Sequence, residues 1–282
     1  ITLNKVDFST DSNAEVDFTS PYDFVHFSMC RGRLKVTDSD FDATGGNGCN
    51  VHGINFKIVK VNKDKVTLKF PNPRSYGFEC IREGDTLAFI DPKTMLEIDR
   101  TKVLHATLRD EYYYDLVLAT YDPPIGVGGI VENLSASPDF EFSGNTLNRI
   151  ARGGILATTR GKLRIENNKI LNTGHSGVII ANDASQKYES GSVRDAVIRL
   201  NAFMNCDENA ILIKPDNRRY GGPIHQNIVI ENNLFIINYT HALNVSSASN
   251  ILMRDNVYKG RPANYKWVNA KNTENIVTDC KK

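Results

Sequence analysis

The sequence has almost no charge excess: 34 Lys and Arg stand against 33 Asp and Glu, for a formal net charge of +1. A nucleic-acid binder normally collects a basic surplus on one face, so that class is disfavoured. No apolar run approaches the roughly 18 to 20 residues of a membrane helix. The longest, such as Val178-Ile179-Ile180-Ala181, are strand-sized. The five cysteines (Cys30, Cys49, Cys80, Cys206, Cys280) include no CxxC pair, which removes a thiolate zinc site and leaves buried strand cysteines as the plain expectation. Phosphate loop, dinucleotide fingerprint, zinc helix and Gly-x-Ser-x-Gly elbow are all missing. No charged-then-apolar leader opens the chain at Ile1. Composition is that of a folded domain, 40% hydrophobic, and 282 residues suit one large β domain or two smaller ones.

What is present is a repeat. Gly144-Asn145-Thr146-Leu147, Asn167-Asn168-Lys169-Ile170, Leu200-Asn201-Ala202-Phe203, Asn232-Asn233-Leu234-Phe235 and Asp255-Asn256-Val257-Tyr258 each place an Asn two positions before a large apolar residue. The steps between these Asn are 23, 33, 32 and 23 residues. Alternating strands such as Leu163-Arg164-Ile165 precede the corners, and a second set such as Val178-Ile179-Ile180 follows. Such coils stack at about 4.8 Å in a parallel β-helix, each burying its apolar face on the next. The corner Asn is expected to accept the left-handed backbone conformation and to bond from coil to coil. An evenly spaced β-sandwich would not keep one corner residue in register over five turns. The longer steps place surface loops at Ala181 to Val193 and at Pro215 to Gln226, and loops on one flank build a cleft. The pattern starts inside the solenoid with no polar cap before Ile1, as in a fragment of a longer protein.

Between Ile54 and Ile130 the pattern changes to strictly alternating strands with hairpin turns, as in Phe56–Val61, Val66–Phe70, Thr86–Ile90, Lys102–Leu108 and Tyr113–Leu118. This segment is expected to be an antiparallel, barrel-like insertion, with Pro123 to Gly129 returning the chain to the solenoid. The fold class is therefore all-β: a right-handed parallel β-helix formed by 1–53 and 131–282, with a small antiparallel β module at 54–130.

Carboxylates on the cleft loops are the candidates for chemistry. Asp183 follows a strand, Glu189 shares its loop, and Asp207 with Glu208 opens the next coil. Acids from neighbouring coils can flank a glycosidic bond, and two adjacent acids repel, which can raise one pKa. Asn50, His52, Arg152, Arg160 and Lys214 are expected near the same cleft as donors to sugar hydroxyls. His52, His175 and His241 have no ligand spacing, so no metal or cofactor is expected.

The run Arg152-Gly153-Gly154-Ile155-Leu156-Ala157-Thr158-Thr159-Arg160-Gly161-Lys162 leading into Ile165-Glu166-Asn167-Asn168 resembles glycoside hydrolase family 110. So do Ser176 to Ala184, the loop Tyr188-Glu189-Ser190-Gly191, Arg194 to Arg199, Val25-His26-Phe27 and Asn50-Val51-His52-Gly53. The resemblance runs from about Asp23 to Tyr258. It implies an inverting, metal-free exo-hydrolase of terminal α-1,3-linked galactose, blood-group-B-type glycans included. It also implies a glycan as partner, with no nucleic acid or membrane, and a secreted or periplasmic bacterial location; a homo-oligomer is compatible with it. It makes Asp183 the general acid and Asp207 with Glu208 the base side. Glu208 stands where that family has a second aspartate. Gly45-Gly46-Asn47-Gly48 stands where a pair of acids is expected, and the family's N-terminal coils are absent. Two other readings stay open: another β-helix polysaccharide enzyme, either a lyase or a galactan or carrageenan hydrolase, and a carbohydrate-binding solenoid without catalysis.

Overall fold

A computed structural model describes residues 1–10, 18–120, 125–238, 240–262 and 265–279. Pro123 and Pro124 of the expected return segment, and Cys280, lie outside the described residues.

The solenoid is a parallel β-helix with three stacked faces. On the first, Asp139–Ser143, Leu163–Glu166, Ala196–Arg199 and His225–Glu231 pair in parallel, so that Phe142, Ile165, Ile198 and Ile230 form one buried column. The second face stacks Phe41, Leu147, Ile170, Phe203 and Phe235. On the third, Cys49, Ile155, Val178, Ile211 and Leu243 point into the same core, and the alternate positions Asn50, Leu156, Ile179 and Leu212 face out. The period of two along each short strand dictates this division. Burial pushes the Cys80 thiol up to about 12 and the Cys206 thiol up to about 11, so these cysteines are core groups with protonated thiols.

The repeated Asn residues form one continuous ladder. Asn145, Asn168, Asn201 and Asn233 each donate backbone N–H and side-chain Nδ2 to Oδ1 of the next Asn, at 2.9–3.2 Å. Each Nδ2 also donates to a backbone carbonyl of the preceding coil, such as Asn201 to Ile165. Ser39 N–H joins at one end and Asp279 accepts from Asn256 at the other. One expectation is corrected. The left-handed residue is not the ladder Asn but the one before it: Asp38, Gly144, Asn167, Leu200, Asn232 and Asp255 have φ between 51° and 71°. The preceding residue makes the turn, and the Asn side chain then points inward to satisfy the buried turn amides. Asn201→Ala strips partners from the Asn168 amide and the Ile165 carbonyl at once. It is expected to lower stability by about 1 to 3 kcal/mol, read from the urea midpoint.

The inserted strands close into a ring. Cys49–Asn62 pairs antiparallel with Lys65–Lys69, then come Tyr113–Leu118, Glu97–Leu108, Thr86–Ile90 and Ile130–Asn133, which returns to Cys49–Asn62. Phe56, Phe70, Phe89 and Tyr114 fill this barrel. Its first strand begins as a solenoid rung, parallel to Val25–Ser28 and Ile155–Ala157, and leaves the helix without a break. The last barrel strand ends at Asn133, so the chain returns to the helix after that residue rather than at Ile130.

Candidate functional site

On the third face, Leu156 and Ile179 form the floor of a cavity of about 330 Å³, whose walls include Arg152, His175, Asn182, Asp183, Lys187 and Glu189. The rungs supply the near wall because the glycines at the strand starts let coils approach. At Gly46 a Cβ would sit 2.3 Å from the Asp23 backbone nitrogen. The Gly45–Gly48 turn instead wraps the Asp23 carboxylate, which accepts from the Asn47 N–H (2.7 Å) and Nδ2 (3.1 Å). With the coils packed this way no side chain fits at Gly46.

The far wall is the loop after Ala181, and Asp183 organises it. Its Oδ1 accepts the backbone N–H groups of Ser185 (2.5 Å) and Gln186 (2.8 Å), and its Oδ2 those of Lys187 and of Tyr188 (3.0 Å). The barrel clamps the same loop. Asn55 Nδ2 donates to the Asp183 carbonyl at 2.8 Å, and the Asn55 N–H donates to the Tyr188 carbonyl at 2.8 Å. Asn72 Nδ2 donates to the Lys187 carbonyl, also at 2.8 Å. Ser185 reaches across to Asp216 on the second loop at 3.0 Å. The loop is thus held by one carboxylate and two barrel amides.

Glu189 emerges from this loop, buried, as a short strand against Ile54 and Gly53. Its Oε1 accepts from Asn50 Nδ2 at 3.4 Å and lies 3.8 Å from His52 Nε2. His52 Nδ1 donates to the Gly53 carbonyl at 2.7 Å, which leaves Nε2 as the acceptor for the exposed His26 Nε2, also at 2.7 Å. Burial lowers the His52 pKa against the pull of Glu189, so the ring is neutral at pH 7. The Oδ1 atoms of Asn50 and Asn182 are buried with no hydrogen-bond partner among the described residues. On the near wall, His175 Nδ1 meets Glu208 Oε1 at 2.9 Å, with both side chains about half exposed.

The structure therefore brings Asp183, Glu189, Arg152 and, through His175, Glu208 to one cavity, with Asn50 and His52 just behind Glu189. Three expected members lie elsewhere. Asp207 lines a separate cavity with Phe18, Arg149 and Asn205, while its neighbour Glu208 turns to His175; both sit in the bend between the strands Ala202–Cys206 and Asn209–Ile213. Lys214 is exposed and outside the cavity lining. Arg160 is turned away, with its guanidinium between Glu132 (2.7 Å) and Glu97 (2.9 Å) of the barrel. From the sequence, His175 is weighed only as a metal ligand and Asn182 is given no role at the site. The step of 23 residues from Arg152 to His175 would have placed them one above the other.

Behind the second loop, His225 is fully buried and its Nδ1 accepts the Val193 N–H at 3.1 Å. Burial, helped by Arg194, lowers its pKa to about 3. An unfolded His titrates near 6.5, so below that pH the unfolded chain gains a proton that the folded one refuses. Stability is expected to fall as pH drops from about 6.5 towards 3, by up to about 1.4 kcal/mol per pH unit from this group. Urea midpoints at pH 7, 6 and 5 should fall less steeply in His225→Gln than in the parent; equal slopes would refute the assignment.

No family model matches the chain. Among curated proteins it is similar to α-1,3-galactosidase A of Bacteroides thetaiotaomicron, 30% identical over 266 residues that cover 91% of this chain and 46% of that protein. α-1,3-Galactosidase A of Bacteroides fragilis YCH46 is 32% identical over 272 residues, 91% of this chain and 44% of that protein. α-1,3-Galactosidase B of B. thetaiotaomicron is 31% identical over 282 residues, 92% and 45%. These similarities agree with the glycoside hydrolase family 110 resemblance. The chain spans a little under half the length of the curated relatives it matches. Among solved structures, the tailspike protein gp49 from Pseudomonas phage LKA1 aligns over 85% of this chain and 48% of that one, at 10% identity and a TM-score of 0.21.

Proposed function

We propose that the chain carries the active site of an α-galactosidase-type glycoside hydrolase that removes terminal α-linked galactose, α-1,3-linked by analogy with its relatives, with inversion at the anomeric carbon. The observation that carries this reading is the single cavity in which Glu189 and the His175–Glu208 pair come from opposite walls, beside Arg152 and Lys187. In this scheme Glu189 protonates the leaving oxygen. His175, oriented through Nδ1 by Glu208, takes a proton from the attacking water at Nε2. Arg152 and Lys187 donate to sugar hydroxyls, and the unpartnered Asn182 amide oxygen accepts from one. The acid role moves from Asp183 to Glu189 because four backbone N–H groups already occupy the Asp183 carboxylate.

Inversion requires about 6.5 to 9.5 Å between acid and base, enough for one water. Proton NMR of an α-1,3-linked digalactoside during the first minutes of hydrolysis tests the scheme: β-galactose should appear first. Early α-galactose would overturn inversion.

A second reading, glycan binding without hydrolysis, is favoured by one observation. Neither aspartate assigned from sequence is free in the cavity: Asp183 is spent on its loop and Asp207 opens elsewhere. Saturable binding of the digalactoside, with no galactose released over days, would select it.

A further inference from the structure

A second polar surface lies on the barrel, away from the coil cavity. It is a depression of about 370 Å³ on the outer face of four strands, lined among others by Lys60, Asn62, Lys65, Thr67, Thr107 and Asp115. The ladder registers make two rows. Lys60 is opposite Thr67, Thr67 opposite Asp115, and Asp115 opposite Thr107; beside it run Asn62, Lys65, Val117 and His105. The alternate residues Val66, Leu68, Tyr114 and Leu116 fill the barrel, so the polar set is the outward half of a fixed pattern.

Several charges on this face are already matched. Asp115 accepts from Thr67 Oγ1 at 2.7 Å and lies 3.5 Å from Arg109. His105 Nδ1 meets Glu83 at 2.6 Å. Lys60 and Lys65 make no ion pair among the described residues. The face thus carries uncompensated positive charge on a chain whose net charge is only +1.

Two features separate this face from ordinary solvated surface. Lysines on a sheet often guard an open edge against pairing, but this barrel closes on itself and has no such edge. In addition, the ladder slips between Ile58 and Lys60 and again between Val117 and Leu118, so a bulge sits at each side of the depression. Bulges re-aim side chains and are over-represented beside binding sites.

We propose that this barrel face binds an anionic glycan, a sugar chain bearing sulfate or carboxylate groups. Lys60 and Lys65 take the anionic groups, and Asn62 and Thr107 bond the hydroxyls between them. A single-stranded nucleic acid fits less well. Such ligands stack their bases on open aromatic faces; the Tyr113 ring beside the depression is covered by Arg109 at 4.8 Å and Lys69 at 5.9 Å, and the His105 ring is held between Glu83 and Thr107. The site is independent of the galactosidase reading and stands or falls separately.

The test is titration calorimetry of the full chain with a heparin hexasaccharide, a neutral dextran oligosaccharide of equal length and an oligothymidylate of equal charge. The heparin fragment should bind, more weakly as salt rises, and the dextran should not. Lys60→Gln/Lys65→Gln should weaken heparin binding about tenfold or more, with thermal midpoint and galactoside hydrolysis unchanged. Lys162→Gln, on an exposed solenoid lysine, should leave it intact. Undiminished binding by the double variant, equal binding of dextran, or tighter binding of oligothymidylate would each overturn the proposal.

Discussion

Arg160→Met should destabilise the fold by about 3 to 5 kcal/mol, the cost of leaving a buried charge without its partner. The Arg160 side chain is 11% exposed and that of Glu132 is 4% exposed. Nε and one terminal nitrogen of Arg160 both contact Glu132 Oε2, at 3.0 and 2.7 Å, and the other terminal nitrogen reaches Glu97. Burial works against the charged guanidinium, but the two carboxylates outweigh it and its pKa is raised. Methionine covers the same apolar area and supplies nothing to Glu132. The double variant Arg160→Met/Glu132→Gln should recover part of the loss, because the orphaned charge goes with its partner. Urea denaturation of the parent, both single variants and the double variant closes the cycle. A loss below about 1 kcal/mol in Arg160→Met would mean that the pair is solvated and does not tie the barrel to the helix.

That ion pair also marks where sequence stops being informative. The Asn ladder was readable because a stacked coil returns the same residue to the same corner, so spacing alone reports contact. Hairpin alternation announced the insertion in the same local way. Its closure did not show, since the strand Ile130–Asn133 that seals the ring lies far along the chain from its partner Cys49–Asn62. Arg160 sits beside motif residues and read as a sugar ligand, but its partners are 28 and 63 residues away on another module. Asp207 and Glu208 part in the bend between two strands, where no period of two says which side chain turns to the cleft. Asp183 carries a second role. An Asp followed by Ala-Ser-Gln-Lys-Tyr is a turn former that bonds backbone amides just ahead of it, and that local role was legible in the same residues that suggested an acid.

The two carboxylates of the cleft loop should accordingly fail in different ways when changed. Glu189→Gln keeps the size and the Asn50 contact but removes the transferable proton. It is expected to cut kcat by about 10² to 10⁴, with KM for the digalactoside nearly constant, as for a group acting in the transition state. A substrate with a good leaving group, such as a nitrophenyl galactoside, needs little protonation and should recover much of that rate. Asp183→Asn turns one acceptor oxygen into an NH₂ facing backbone N–H groups that have no other partner. The loop from Ala181 to Ser190 should then loosen, raising KM and protease sensitivity there while the activated substrate recovers nothing. Steady-state kinetics on both substrates, with limited proteolysis of each variant, reads the difference. If rescue by the activated substrate appears in Asp183→Asn and not in Glu189→Gln, the acid is Asp183 after all, and its four backbone contacts must open during turnover.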